Sequence, residues 1–150
     1  MKGLYYEDFK VGDKFTSPAK TMTEGAIAVL IGLGGYTVPL FNDEEYAKTT
    51  VFKGRIAPGR VTMLMMGGLQ EQLGIFDETV VALVGLDKVR FKNPLRAGDT
   101  IKLEIEIIDK RETKNPGRGI IVHKEYCLNQ RGEILLEAES THLMLRKPKG

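Results

Sequence analysis

One stretch of this chain has to be covered on nearly every side. Between Arg60 and Gly74 lie Val61, Met63, Leu64, Met65, Met66, Leu69 and Leu73. At 3.6 residues per turn these positions take up most of a helix circumference, and a helix that is apolar almost all round is a buried one. Pro58 suits the first helical turn, where its missing N–H has no intrahelical partner to lose. Gly74 suits the stop, where a left-handed backbone is often required. Gly67 and Gly68 each cost roughly 1 kcal/mol against Ala in a helix interior. That cost predicts another element packed close to the helix backbone there.

The surface that buries such a helix is supplied by the second half of the chain, where the hydrophobic period changes to two. Thr79–Phe91, Thr100–Arg111, Gly119–Asn129 and Glu133–Leu145 read as four long strands. The second is clearest, with Ile101, Leu103, Ile105 and Ile107 alternating with Lys102, Glu104 and Glu106. Asn93-Pro94 with Ala97-Gly98-Asp99, Asn115-Pro116-Gly117 and Asn129 to Gly132 mark the turns between them. Consecutive strands with short turns predict an antiparallel meander, apolar on one face, curved around the central helix. The fold class is α+β, with helices early and strands late.

Ahead of the central helix, Lys14–Ser17 reads as a short extended piece. Thr23 is an N-cap for a helix over Glu24–Leu33, ended by Gly34-Gly35. Tyr36–Asn42 reads as non-helical, since Val38 precedes a proline. Asn42 and Glu45 are spaced as a capping box opening a short helix through Lys48.

The 150 residues fit one domain over 1–150. A net charge of +2 with acidic and basic residues interspersed gives no reason to expect a nucleic-acid partner, and the basic run Arg146-Lys147-Pro148-Lys149 reads as a solvated terminus. One cysteine, Cys127, fits a reducing compartment. The longest apolar run, Ala26–Leu33, is too short for a bilayer, and no apolar leader opens the chain. A cytoplasmic protein without a membrane partner is the expectation.

Several segments then fall in a familiar order: Tyr6-Glu-Asp-Phe-Lys-Val-Gly-Asp13, Gly32-Leu-Gly-Gly35, Pro39-Leu40, Asp43-Glu-Glu-Tyr-Ala47, Gly54-Arg-Ile-Ala57, Gly59, Val89-Arg-Phe91 with Pro94, Arg96-Ala-Gly-Asp-Thr100, and Leu128, Asn129, Gln130 and Gly132. Over nearly its whole length the chain resembles the MaoC-like dehydratase, or (R)-specific enoyl-CoA hydratase, family. The resemblance implies a hot-dog fold, an antiparallel sheet wrapped around one long helix. It further implies an acyl-CoA thioester as ligand or substrate with no other cofactor, and a homodimer or higher homo-oligomer.

Hydratases of that family carry Gly-Asp-x-Asn-Pro-Leu-His, whose Asp and His act on the water and the substrate α-carbon. The same frame here is Gly35-Tyr36-Thr37-Val38-Pro39-Leu40-Phe41. Tyr36 stands at the Asp position, Val38 at the Asn and Phe41 at the His. Pro58 replaces the His of the family's Ile-Ala-His-Gly. Phe moves no proton, and Tyr with an ordinary pKa of about 10 is a poor base near neutrality. The resemblance therefore implies a substrate-binding site at Tyr36, Phe41, Arg55, Ile56, Pro58, Gly59, Arg60 and Thr62, with no catalytic residue assigned. N–H groups at the helix start suit a thioester carbonyl, and Arg55 and Arg60 suit phosphates or an acyl carboxylate.

The remaining candidates are weaker. His142 shares an inward phase with Ile134, Leu136 and Ala138, as a core or interface histidine would. His123, in phase with Glu125 and Cys127, has less to distinguish it. Two separated histidines and one cysteine do not make a metal site. Asp43 lies near the substituted motif and is a possible displaced base; Glu71 is the nearest carboxylate for a thioesterase but sits at the far end of the helix. Three readings remain: an acyl-CoA binder without standard hydratase activity, an active hydratase or thioesterase with relocated groups, and a non-catalytic subunit paired with a catalytic homologue.

Overall fold

The computed structural model describes residues 2–150. A 3₁₀ turn at Tyr6–Asp8 leads into β1 (Lys14–Thr16) and β2 (Lys20–Thr21), then α1 (Glu24–Gly34), α2 (Pro39–Asn42), α3 (Glu44–Lys48) and α4 (Gly59–Glu71). Four long strands follow: β3 (Val80–Phe91), β4 (Thr100–Glu112), β5 (Arg118–Leu128) and β6 (Ile134–Leu145). The order across the sheet is β1-β4-β5-β6-β3, with β2 also pairing to β4. This is the hot-dog arrangement. The inward residues of β4, β5 and β6 meet Val61, Met66 and Leu69 of α4 in one apolar core that also takes in Phe9, Met22, Phe76 and Leu95.

The meander holds for β4, β5 and β6, but not for the first long strand. β3 pairs with β6, so the chain from Phe91 to Thr100 crosses to the far side of the sheet. Hydropathy alternation orders residues across a strand's two faces and carries no information about which strand lies beside which. β3 is therefore an edge, and three register shifts interrupt its pairing.

Several local expectations are corrected as well. Pro39–Asn42 forms one helical turn, with Val38 as an extended residue before it, because proline is pre-organised for a first turn. The cap of α3 is Asp43, whose carboxylate accepts from the Tyr46 N–H at 3.0 Å, and not Asn42. Thr23 caps α1 as its position implies, accepting from the Ala26 N–H. Pro58 precedes α4 as its cap residue, one position earlier than its sequence role suggested.

The central helix is also less enclosed than its composition implies. Leu64 is 60% exposed, Met63 and Met65 are half-buried, and a Cβ added at Gly67 or Gly68 would meet nothing within 4 Å. No element packs onto those glycines in a single chain. At the other end of the sequence, the basic tail is partly tied down: Arg146 pairs with Glu7 and Glu112, and Lys147 pairs with Asp8.

Candidate functional site

Two cavities meet near the start of α4. The first, about 600 Å³, is bounded by Ile27 and Ile31 of α1, by Tyr36, Phe41 and Asn42, and by Glu44, Arg55 and Arg96. α1 stops here because Gly35 takes a left-handed backbone at φ 71° and donates its N–H back to Ile31 and Gly32. The chain then turns so that the Tyr36 and Phe41 rings pack edge to face, centroids 5.9 Å apart. Asn42 Nδ2 ties this turn, donating to the carbonyls of Tyr36 and Val38 at 3.1 Å each. Tyr36 and Phe41 therefore touch each other and wall one cavity.

Arg55 lies across the same cavity, but its charge is already engaged. Its Nε donates to Glu44 Oε2 at 2.8 Å, its backbone N–H reaches the same oxygen at 3.3 Å, and its Nη2 bonds Glu24. Hydrogen bonds from Arg55 hold the Glu44 carboxyl below the usual range. A carboxylate so held is an anchor for the 53–55 segment and a weak base. Arg96 Nη2 is likewise used, donating to the Phe52 carbonyl at 2.6 Å.

The second cavity, about 410 Å³, lies against the first turn of α4 and is lined by Phe52, Ala57, Gly59, Arg60, Thr62, Phe91, Leu95 and Leu135 among others. Only Ile56 lines both spaces. Thr62 is buried and Arg60 exposed, and Pro58 is buried at the turn that begins the helix. The predicted residues are thus divided: Tyr36, Phe41 and Arg55 on one side of Ile56, Gly59, Arg60 and Thr62 on the other. Sequence reasoning missed Glu24, Glu44 and Arg96 in the first cavity and Phe52, Phe91 and Leu135 in the second. Phe91 stood in the quoted Val-Arg-Phe segment, but nothing in its own strand shows that the ring reaches across to α4.

Residues 8–125 match the family described as MaoC like domain. The chain belongs to the MaoC-like family. An (R)-specific enoyl-CoA hydratase of Rhodospirillum rubrum is 34% identical over 137 residues, covering 91% of this chain and 89% of its own. A mesaconyl-CoA hydratase of Cereibacter sphaeroides is 28% identical over 89% of this chain and 39% of its own. Among solved structures, a monoamine oxidase regulatory protein from Archaeoglobus superposes with a TM-score of 0.90 at 30% identity, over 99% of this chain and 98% of that one. A MaoC-like dehydratase from Rhodospirillum rubrum gives 0.88 at 28% identity, over 98% and 100%.

The other candidate residues of this MaoC-like chain line neither cavity. Asp43 is spent as the α3 cap, and Glu71 is exposed at the end of α4. Cys127 is buried, and burial together with nearby Glu125 pushes its thiol up to about 12, so it is no nucleophile. Among the described residues, no group of His, Cys, Asp and Glu is arranged to hold a metal ion.

His123 is the residue most underrated by its sequence position. It is 0% exposed, and its ring stacks on His142 at 5.1 Å, which stacks in turn on Phe76 at 4.8 Å. Glu125 accepts from the Ser140 hydroxyl at 3.0 Å, and Gln70 Nε2 lies 3.3 Å from His142 Nε2. Burial lowers His123 to about 3, with help from His142, and lowers His142 to about 4. Burial raises Glu125 to about 7, against the Ser140 hydrogen bond. At 3.8 Å the His123 Nδ1–Glu125 Oε2 approach is too long for a hydrogen bond. The signal was in the strands: polar residues at 123 and 125 share the inward phase of Ile121 and Cys127.

Proposed function

We propose that this MaoC-like chain binds an acyl-CoA thioester and does not carry out the standard hydration of an enoyl-CoA. The observation that supports this most directly is the Tyr36–Phe41 ring pair, packed edge to face where the family's acid/base residues are expected. The first turn of α4 retains what binding needs. The N–H groups of Gly59 and Arg60 precede the first helical bond, which the Val61 N–H makes to the Pro58 carbonyl; the helix dipole favours a carbonyl oxygen there, and an apolar cavity adjoins it. The carboxylates near the ring pair do not substitute for the missing base, since Glu44 and Glu24 are both held by Arg55.

The working unit in this reading is a homodimer of single-domain chains over 1–150. β3 leaves Val80, Val81, Leu83, Val84, Leu86 and Phe91 exposed along an unpaired edge, and such an edge invites a second strand. Sedimentation at micromolar concentration is expected to give a dimer; a stable monomer would overturn this part.

The decisive experiment uses the unmodified protein. Crotonyl-CoA is expected to bind, as followed by calorimetry, while its conjugated absorbance stays constant. A positioned acid or base contributes about 10²–10⁴ in rate, so its absence leaves turnover near the uncatalysed level. Efficient loss of the enoyl absorbance would sink the proposal and direct attention to relocated groups.

A further inference from the structure

We infer that Phe91 is the specificity-determining residue of the acyl cavity, setting the length of acyl chain that fits beside the first turn of α4. The inference rests on the acyl-CoA-binding reading above. Its first observation is a close approach across two elements. A Cβ built on Gly59 would lie 2.5 Å from Phe91 Cδ1 and 2.6 Å from Cε1, so the edge of the ring covers the Cα of the residue that opens the helix. The same ring lines the 410 Å³ cavity together with Leu95 and Leu135. A chain whose carbonyl meets the N–H groups of that first turn therefore lies beside the Phe91 ring.

The second observation is that the backbone aims this ring deliberately. The register of β3 against β6 shifts between Asp87 and Arg90, and within that shift Lys88 holds a left-handed φ of 50°. Side chains bearing a Cβ rarely adopt that backbone. Bulges of this kind redirect the side chains that follow them. Beyond the shift, Arg90 faces Glu137 and Phe91 pairs with Leu136, which brings the aromatic ring over α4. The ring is nevertheless 56% exposed, so it is held over the helix without being locked in the core and can be exchanged without dismantling the fold.

The cavity lies toward the small end of ligand sites, which run from about 300 to 1,000 Å³. Its walls are mainly apolar, with Arg60, Lys92 and Asn93 among its polar lining. The ligand class is therefore a short to medium acyl chain on a thioester whose polar portion stays outside.

The test is a chain-length series of saturated acyl-CoAs titrated into wild type, Phe91→Ala and Phe91→Trp. Each methylene that enters an apolar site adds about fourfold in affinity, from about 0.8 kcal/mol, until the site is full. Wild-type affinity is expected to climb and then level off. Phe91→Ala should move the levelling point at least two carbons longer and weaken the shortest chains several-fold. Phe91→Trp should move it shorter. The chain contains no tryptophan, so the new indole also reports directly: its emission should change with acyl-CoA and not with free CoA. An identical levelling point in all three proteins overturns the inference while leaving acyl-CoA binding intact. Absence of any acyl-CoA binding by wild type overturns both. Should Phe91→Ala melt well below wild type, Phe91→Leu gives the same comparison with a smaller loss of volume.

Discussion

At its first turn α4 faces an apolar cavity and, beyond Ile56, a pair of aromatic rings; near its last turn it faces two imidazoles and a carboxylate. The two histidines and a buried carboxyl thus lie at the end away from the expected thioester. His123 and His142 are stacked, and with Glu125 they are buried, while Tyr36 and Phe41 wall the first cavity. Having the right residue types is not enough for chemistry. An imidazole that is 0% exposed and shifted to about 3 takes up no proton near neutrality, whatever lies beside it.

The largest effect should come from breaking the packing that both ends share. Leu69 is fully buried between them. Leu69→Asp strands a carboxylate in that core, at a cost above the usual range of about 0.5–3 kcal/mol. Melting within a couple of degrees of wild type would show that α4 is not seated on the sheet as described.

The next effect belongs to the buried polar end alone. Glu125 has a folded pKa of about 7 against an ordinary 4.5, so its contribution to stability is full below pH 4.5 and is lost as pH rises through 7. His123 and His142 move the other way, to about 3 and about 4 from 6.5; their contribution is full above pH 6.5 and is lost on acidification. Between pH 4.5 and 6.5 the imidazoles outweigh the carboxyl by one proton, so the cluster's contribution falls on acidification by about 1.4 kcal/mol per pH unit. Glu125→Gln removes the opposing carboxyl and should roughly double that slope. Relative to wild type, the variant should gain about 3 kcal/mol between pH 4.5 and 7. Denaturant melts across this range check it, and parallel curves would contradict it. Acyl-CoA affinity should not change, since the substitution is at the other end of the helix.

The smallest effect tests the outward face between the two ends. An added methyl at Gly67 meets nothing within 4 Å, so Gly67→Ala should gain about 0.5–1 kcal/mol in helix propensity and raise Tm by about 2–4 °C per kcal/mol. A fall in Tm instead would place a partner subunit against that face.

Much of the fold was legible because it depends on periodicity. Ile101, Leu103, Ile105 and Ile107 are all buried, as their alternation requires, and the strand and helix boundaries fall within a few residues of the pattern. Gly67 and Gly68 misled because a glycine's penalty in a helix is local, whereas its explanation was sought in a neighbour that a single chain does not supply. The site was half legible. Tyr36 and Phe41 do share one cavity, whereas Gly59 lines another, a division at Ile56 that no motif order shows.

From the sequence alone follow the α+β class, the central helix and the strand phases, because each is a matter of residue type at a fixed spacing. Three things were left to the tertiary structure: the placement of β3 beyond β6, the seating of Phe91 on Gly59, and the stacking of His123 on His142. Each joins residues far apart in the chain, through contacts whose geometry depends on how the sheet curves around α4. No local pattern encodes that curvature, so only the folded chain brings those groups together.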